Sequence, residues 1–206
     1  LMKGFIGSAN IDTNSRLCMA SSVAGHKRAF GSDTVPCCYE DLELADLIVL
    51  TGSNAAWCHP VLFQRIAQAK KTNPRLKIVV IDPRRTATCD IADLHLPLRS
   101  GSDVALFNGL LSYLHANGRR NDAYIRAHTE GVEAAITSAL TSVPGVEAAA
   151  CQCGLGATEL QAFFDLFAAT EKTVTVYSQG VNQSSSGTDK VNAIINCHLL
   201  TGRIGR

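Results

Sequence analysis

The sequence predicts an α/β fold built on a doubly wound, mostly parallel sheet, and three observations carry that prediction. Two short, continuous apolar runs, Leu47-Ile48-Val49-Leu50 and Lys77-Ile78-Val79-Val80-Ile81, have the character of strands buried on both faces. Helical periodicities separate and follow them, as the crossovers of a parallel sheet require. Each run ends in a polar turn, Thr51-Gly52 after the first and Asp82-Pro83 after the second, at the end of the strand where such sheets hold ligands.

The elements follow in order. Pro60 opens a helix through about Lys71, at a first-turn position where its missing N–H costs nothing, with Leu62, Phe63, Ile66 and Ala67 on the inner face. After the second strand a third, Asp93-Leu94-His95-Leu96-Pro97, is shorter and alternates. Ser102-Asp103 can cap the next helix, in which Val104, Phe107, Leu111 and Leu114 repeat at helical spacing until Gly118 stops it. Residues 121–150 are Ala-rich and read as shorter helices and connections. Thr158-Glu159-Leu160-Gln161 fits a capping box for a helix through about Ala169. Thr173 to Tyr177 alternates β-branched residues as a last strand, and a Gly- and Ser-rich loop covers Gly180 to Gly187. A final helix puts Val191, Ile194, Ile195 and His198 on one face.

Composition narrows the function classes. A chain of 206 residues, 46% hydrophobic, buries enough for one domain or one and a piece. Its 19 basic and 18 acidic side chains nearly cancel, which gives no electrostatic reason to expect a nucleic-acid or membrane-surface partner. No apolar run has the length of a membrane span. The chain opens Leu1-Met2-Lys3-Gly4 and stops at Gly205-Arg206, just past a helix end, so it is expected to be an internal fragment of a longer protein. The eight cysteines contain no Cys-x-x-Cys, and neither Cys37-Cys38 nor Cys151/Cys153 has zinc-finger spacing. Mostly free thiols in a reducing, cytoplasmic setting are expected.

The strand-end turns are the candidate site. In Thr51-Gly52-Ser53-Asn54-Ala55-Ala56-Trp57-Cys58, small residues let backbone N–H groups approach a phosphate, although a plain strand-to-helix turn has the same composition. Asp82 can meet a ribose hydroxyl and Arg84-Arg85 can grip phosphate; paired arginines on a solvated surface are the other reading. Asp103, after Gly101-Ser102, can accept two parallel hydrogen bonds from a guanine edge or simply cap its helix. The amides of Gln179, Asn182 and Gln183 offer donors and acceptors to a heterocycle. No Gly-x-Gly-x-x-Gly fingerprint is present. Ahead of the sheet, Cys18 stands among polar turn formers and small residues, either as a soft ligand for a transition metal or as a small apolar side chain.

Taken in order, Asn14-Ser15-Arg16-Leu17-Cys18-Met19-Ala20-Ser21, Gly52-Ser53-Asn54, Asp82-Pro83-Arg84-Arg85-Thr86, Gly101-Ser102-Asp103 and Gly180-Val181-Asn182-Gln183 resemble the central part of the catalytic subunits of molybdopterin-dependent nitrate reductases, over essentially the whole chain. The resemblance implies that Cys18 is the protein's ligand to molybdenum and that two molybdopterin guanine dinucleotides supply the other sulfurs. It further implies that Asn14, Thr51, Gly52, Ser53, Asn54, Ala55, Ala56, Trp57, Cys58, Asp82, Pro83, Arg84, Arg85, Thr86, Gly101, Ser102, Asp103, Gln179 and Gln183 line the dinucleotide site, with Asp103 the guanine reader. Met19, beside the ligand, walls the substrate pocket or serves ordinary packing. A Rossmann-like domain is expected over residues 13–177, with residues 1–12 and 178–206 belonging to a second, discontinuous α/β domain. The implied reaction is oxygen-atom transfer from nitrate, giving nitrite, in which the cofactor does the hard step and the protein supplies ligation and orientation.

The run Gly180 to Lys190 is similar to the assimilatory, cytoplasmic branch, since periplasmic relatives tend to carry Arg where Ser186 stands, while Gln179 departs from a more usual Met. The family's [4Fe-4S] cluster is expected on an N-terminal four-Cys segment outside this chain, and the chain alone is expected to be inactive. The electron donor implied is ferredoxin, flavodoxin or an NADH-dependent reductase subunit. A periplasmic nitrate reductase and a Cys-type formate dehydrogenase are the neighbouring alternatives. Formate dehydrogenases generally place a His soon after the ligand, where this chain has Met19-Ala20-Ser21. A metal-free nucleotide-binding module is the alternative from another class.

Overall fold

The computed structural model describes residues 1–205. Four strands, β1 (Leu47–Thr51), β2 (Lys77–Ile81), β3 (Leu94–Leu96) and β4 (Thr173–Tyr177), form one parallel sheet in the order β3-β2-β1-β4. Every residue of β1 is buried, as its unbroken apolar run requires of a strand with neighbours on both sides and helices on both faces. Alternate residues serve opposite faces. Leu47, Val49, Val79, Ile81 and Leu96 belong to one core, and Ile48, Leu50, Ile78 and Val80 to the other.

The helices are α1 (Ala20–Phe30), α2 (Tyr39–Leu44), α3 (Ala55–Cys58), α4 (Pro60–Thr72), α5 (Asp103–Ala116), α6 (Asp122–His128), α7 (Val132–Ser142), α8 (Val146–Cys153), α9 (Ala157–Ala169), α10 (Gln179–Asn182) and α11 (Gly187–Leu200). The larger core joins α5, α7, α8, α9 and α11 through residues such as Phe107, Leu110, Phe163, Phe164, Phe167 and Ile194. The smaller one is closed by Leu42 of α2 and by Ile66 and Ala69 of α4. No helix among the described residues is long and apolar enough to cross a membrane, and all eight cysteines are free.

Several expectations need correction. The helix α5 starts at Asp103 with Ser102 ahead of it, but the Ser102 hydroxyl donates to the Arg99 carbonyl (2.6 Å) and caps nothing. The capping box proposed at Thr158 does not form; the cap position falls two residues earlier, at Gly156, and α9 begins at Ala157 without a side-chain cap. The segment expected as a loop from Gly180 to Gly187 contains the helical turn α10 and the start of α11, because Gly180, Val181, Asn182 and Gln183 donate back to Gly52, Ser178 and Gln179 carbonyls. The third strand shrinks to Leu94–Leu96.

Helix α1 was not visible as a pattern because it packs with small residues. A Cβ built on Gly25 would lie 2.6 Å from the Val191 Cγ1, so glycine is what lets α1 lie against α11.

One buried histidine ties this core to pH. His198 of α11 hydrogen-bonds through Nε2 with the Thr175 hydroxyl of β4 (2.8 Å) and lies edge-on to Phe167 at 5.4 Å between ring centres. The Arg203 guanidinium lies over the same Phe167 ring, 4.4 Å from its centroid. Burial, with the Arg203 charge adding to it, pushes the His198 imidazole down to about 3. The unfolded chain takes up that proton near pH 6.5 and the folded chain does not until near pH 3. The contribution is therefore complete above about pH 6.5 and is lost progressively as the pH falls towards 3. Thermal unfolding of the chain between pH 7 and pH 5 is expected to show a falling Tm, and His198→Gln is expected to flatten that slope; equal slopes would assign the acid sensitivity elsewhere.

Candidate functional site

Sequence order along the sheet reverses beside β1: β2 and β3 lie on one side and β4 returns to the other. The strand ends are flush, with Thr51 opposite both Ile81 and Tyr177. Such a switch point opens a crevice beyond the carboxyl ends of the strands. Here the turns after β1 and β4 touch. The Gly180 N–H donates to the Gly52 carbonyl (3.0 Å), and a Cβ on Gly52 would stand 2.8 Å from the Gly180 Cα. Gly52 also has φ of 56°, a conformation that side chains disfavour, so it is held as glycine twice over. Beside it the Ser53 and Ser178 hydroxyls share a hydrogen bond of 2.9 Å.

Cys18 lies against the segment that follows β4, in contact with Asn182 and Gln183. A short turn over Asn14–Arg16 precedes it, in which the Asn14 carbonyl accepts from Leu17 and Met19 N–H groups. The Cys18 side chain is exposed, and the Gln183 Nε2 donates to its sulfur at 2.9 Å. Asn182, one residue earlier and buried, donates through Nδ2 to the Cys18 carbonyl (2.6 Å) and sits 3.8 Å from the Met19 sulfur. Its Oδ1 accepts from both the backbone N–H and the hydroxyl of Ser22 (2.9 and 2.8 Å). Met19 is half-buried there, against α10.

The remaining strand-end residues divide into those brought to the crevice and those left at its margin. Asn54 Oδ1 accepts from the Thr88 hydroxyl (3.3 Å), which itself accepts from the Ala56 N–H (3.1 Å), so the turns after β1 and β2 are pinned together. Asp82 is buried and folds back on its own turn, accepting from the Arg84 N–H (2.8 Å), while its carbonyl meets His95 Nε2 (2.9 Å). Pro83, Arg84 and Arg85 are exposed, and Thr86 accepts locally from Thr88 N–H. Arg85 lines a cleft of about 400 Å³ at the β3 edge with His95, Gly156 and Glu159. Thr51, Ser53 and Ala55 are buried, Ala56 is half-buried, and Trp57 and Cys58 face solvent. Asn14, Gly101, Gln179 and Gln183 are exposed.

Asp103 is not a free carboxylate. The ammonium of Lys190, on α11, lies 2.6 Å from its Oδ2, with side chains 2% and 7% exposed, and also reaches the Gly180 carbonyl (3.4 Å). The pair joins the start of α5 to α11, and the Gly180 contact ties both to the segment after β4. Sequence reasoning missed Ser22, Thr88, Ser178 and Lys190 and treated Asn182 only as one amide among several. Among the described residues no three His, Cys, Asp or Glu side chains converge.

The sequence matches the molybdopterin oxidoreductase family over residues 1–206. The chain belongs to that family. It is 56% identical over 206 residues to the nitrate reductase of Klebsiella oxytoca, covering 100% of this chain and 23% of that protein. The match to the nitrate reductase of Shewanella frigidimarina is 53% over 204 residues, covering 99% and 22%. This chain therefore spans about a quarter of the length of the relatives it matches. An assimilatory nitrate reductase of Haloferax mediterranei (36%; all of this chain, 28% of that protein) and a periplasmic one of Desulfovibrio desulfuricans (34%; the same shares) are also similar. Among solved structures, acetylene hydratase from Pelobacter acetylenicus superimposes with a TM-score of 0.80 at 22% identity, over 97% of this chain and 26% of that one, which establishes the shared fold.

The molybdopterin oxidoreductase chain carries a testable pair in Lys190 and Asp103. Removing one partner leaves a buried charge without its counter-ion, a loss of about 3–5 kcal/mol, whereas removing both is far milder. Lys190→Met is expected to lower the denaturant midpoint sharply and Lys190→Met/Asp103→Leu to recover most of it. Additive losses in the double variant would mean the two side chains do not act as a pair.

Proposed function

We propose that this chain is part of the catalytic subunit of a nitrate reductase, and that Cys18 is the protein's ligand to molybdenum held by two molybdopterin guanine dinucleotides. The observation that carries the reading is the Cys18 sulfur, exposed and already facing an amide donor from Gln183, in the segment after β4. A thiolate is a soft donor suited to a transition metal, and outer hydrogen bonds of this kind orient and tune such ligands. The strand-end residue types support a dinucleotide there: the turns after β1 and β4 pack backbone to backbone at Gly52 and Gly180, with Ser53, Asn54 and Ser178 as short polar groups beside that contact.

Bound there, the cofactor supplies the two-electron chemistry that removes an oxygen atom from nitrate, with two protons completing nitrite and water. The chain's own residues have separate tasks. Cys18 would hold the metal, Gln183 would steady its sulfur, and Met19 would border the substrate space. Asn14, the turn Thr51 to Cys58, the turn Asp82 to Thr86, Gly101 to Asp103 and Gln179 would line the dinucleotides. Lys190 meets Asp103 at Oδ2, and a carboxylate has two oxygens with about two acceptor sites each, so guanine recognition remains compatible with the ion pair.

The finer reading is an assimilatory, cytoplasmic enzyme, supported by Ser186 ahead of α11, where periplasmic relatives tend to carry arginine. It includes a [4Fe-4S] cluster bound outside this chain and an electron donor such as ferredoxin, flavodoxin or an NADH-dependent reductase. The division at residues 1–12, 13–177 and 178–206 belongs to the same reading, with α11 packing on α5 across the second boundary.

The test is Cys18→Ser in the full-length protein. Nitrate turnover is expected to collapse and the bound metal, measured by elemental analysis, to fall, while the unfolding profile stays that of the parent. Unchanged nitrate reduction with full molybdenum would reject the ligand assignment, and formate oxidation in place of nitrate reduction would move the enzyme to the neighbouring branch.

A further inference from the structure

We infer that Asn182 is the positioning residue of this site, a clamp that fixes the Cys18 backbone and the first turn of α1 in one geometry; the inference rests on the reading of Cys18 as the metal ligand. Helix α1 has no local cap, since Met19 occupies the cap position and makes no side-chain hydrogen bond to the helix. Its third N–H, that of Ser22, is instead satisfied by Asn182 Oδ1, 160 residues along the chain. This is the service a local Asn or Ser provides at other helix starts. The amide orientation is determined by its partners. A backbone N–H on one side can only donate, and the Cys18 carbonyl on the other can only accept, so Oδ1 faces Ser22 and Nδ2 faces Cys18.

Burial makes the arrangement stringent. Asn182 is 2% exposed, and its polar atoms are engaged by the Cys18 carbonyl, the Ser22 N–H and the Ser22 hydroxyl. A buried amide deprived of these partners is costly, so the segment 18–22 has one position in which all are met. The clamp is tied in turn to the sheet. Asn182 N–H donates to the Ser178 carbonyl (3.0 Å), and Ser178 hydrogen-bonds with Ser53 at the end of β1. Gly187 packs against it too; a Cβ there would lie 2.5 Å from the Asn182 carbonyl and 2.7 Å from Ser21 Cβ. Gln183 reaches the sulfur from the next position, so α10 holds the backbone of Cys18 with one residue and meets its side chain with the following one.

Asn182→Asp tests this in the full-length holoenzyme. The substitution keeps the acceptor for Ser22 and replaces the donor to Cys18 with a second acceptor, and Asn182→Leu removes both functions at similar volume. In metal-free protein, hydrogen exchange of the peptide covering 14–22 is expected to rise by about 10-fold in both variants, with β4 and α11 unchanged. In loaded enzyme, turnover per bound molybdenum is expected to fall by about 10- to 100-fold with KM for nitrate little changed, and the paramagnetic signal of the half-reduced centre to shift. Unaltered exchange at 14–22 would overturn the clamp, as would activity that falls only in proportion to molybdenum content with the signal intact. Cys18→Ser run in parallel separates the two claims: if it retains metal and nitrate turnover, the ligand reading fails and the exchange experiment alone judges the clamp.

Discussion

The backbone contact between Gly52 and Gly180 is the constraint on which the site depends. β4 adds to the free side of β1 in register, and the two turns meet at a distance that only glycine at both positions permits. That contact sets where α10 begins, and hence where Asn182 and Gln183 point. Those two side chains then determine where Cys18 sits, although it lies more than a hundred and sixty positions away in the chain. A sheet buried on both faces thus transmits its rigidity to an exposed sulfur through two glycines and two amides. The apolar strands supply stiffness, and the polar turns convert it into position.

The Asp103–Lys190 pair performs a related task from the opposite side. Burying two charges contributes little net stability compared with apolar residues of the same shape. Its effect lies in which arrangements it forbids. Lys190 reaches both Asp103 and the Gly180 carbonyl, so α5 and α11 cannot slide past one another without stranding a charge. The same α5–α11 contact carries apolar packing through Phe107 and Ile194, which supplies the free energy the ion pair does not.

What could be read in the sequence follows from the range of the signal. Strands β1 and β2, with continuous Val, Ile and Leu, and the helices begun by Pro60 and ended by Gly118 are local patterns and appear where expected. Cys18 and the strand-end turns stand out as candidates because their residue types are unusual among apolar runs. Caps and partners were not. Ser102 and Thr158 carry the composition of caps, yet Ser102 turns back to Arg99 and α9 starts ahead of Thr158, since neighbouring carbonyls and packing compete for the same groups. Helix α1, which lacks any local cap, is completed by Asn182, and Asp103 meets Lys190 across a long separation. No window of sequence contains both members of such pairs.

The clamp also sets a limit on what hydrogen bonds can do here. Residues 1–20 include no buried side chain, and Phe5 and Leu17 are nearly fully exposed. Ordering each residue of that segment costs about 1–2 kcal/mol of backbone entropy, while a hydrogen bond returns about 1 kcal/mol net. The bonds from Asn182 and Gln183 therefore balance the ordering of a few residues around Cys18 and no more. Position at the sulfur is specified by two amides, and the exposed Phe5 and Leu17 add no burial to the segment ahead of it. In this arrangement the strength of the site's geometry and the strength of its attachment are separate quantities, determined by different residues.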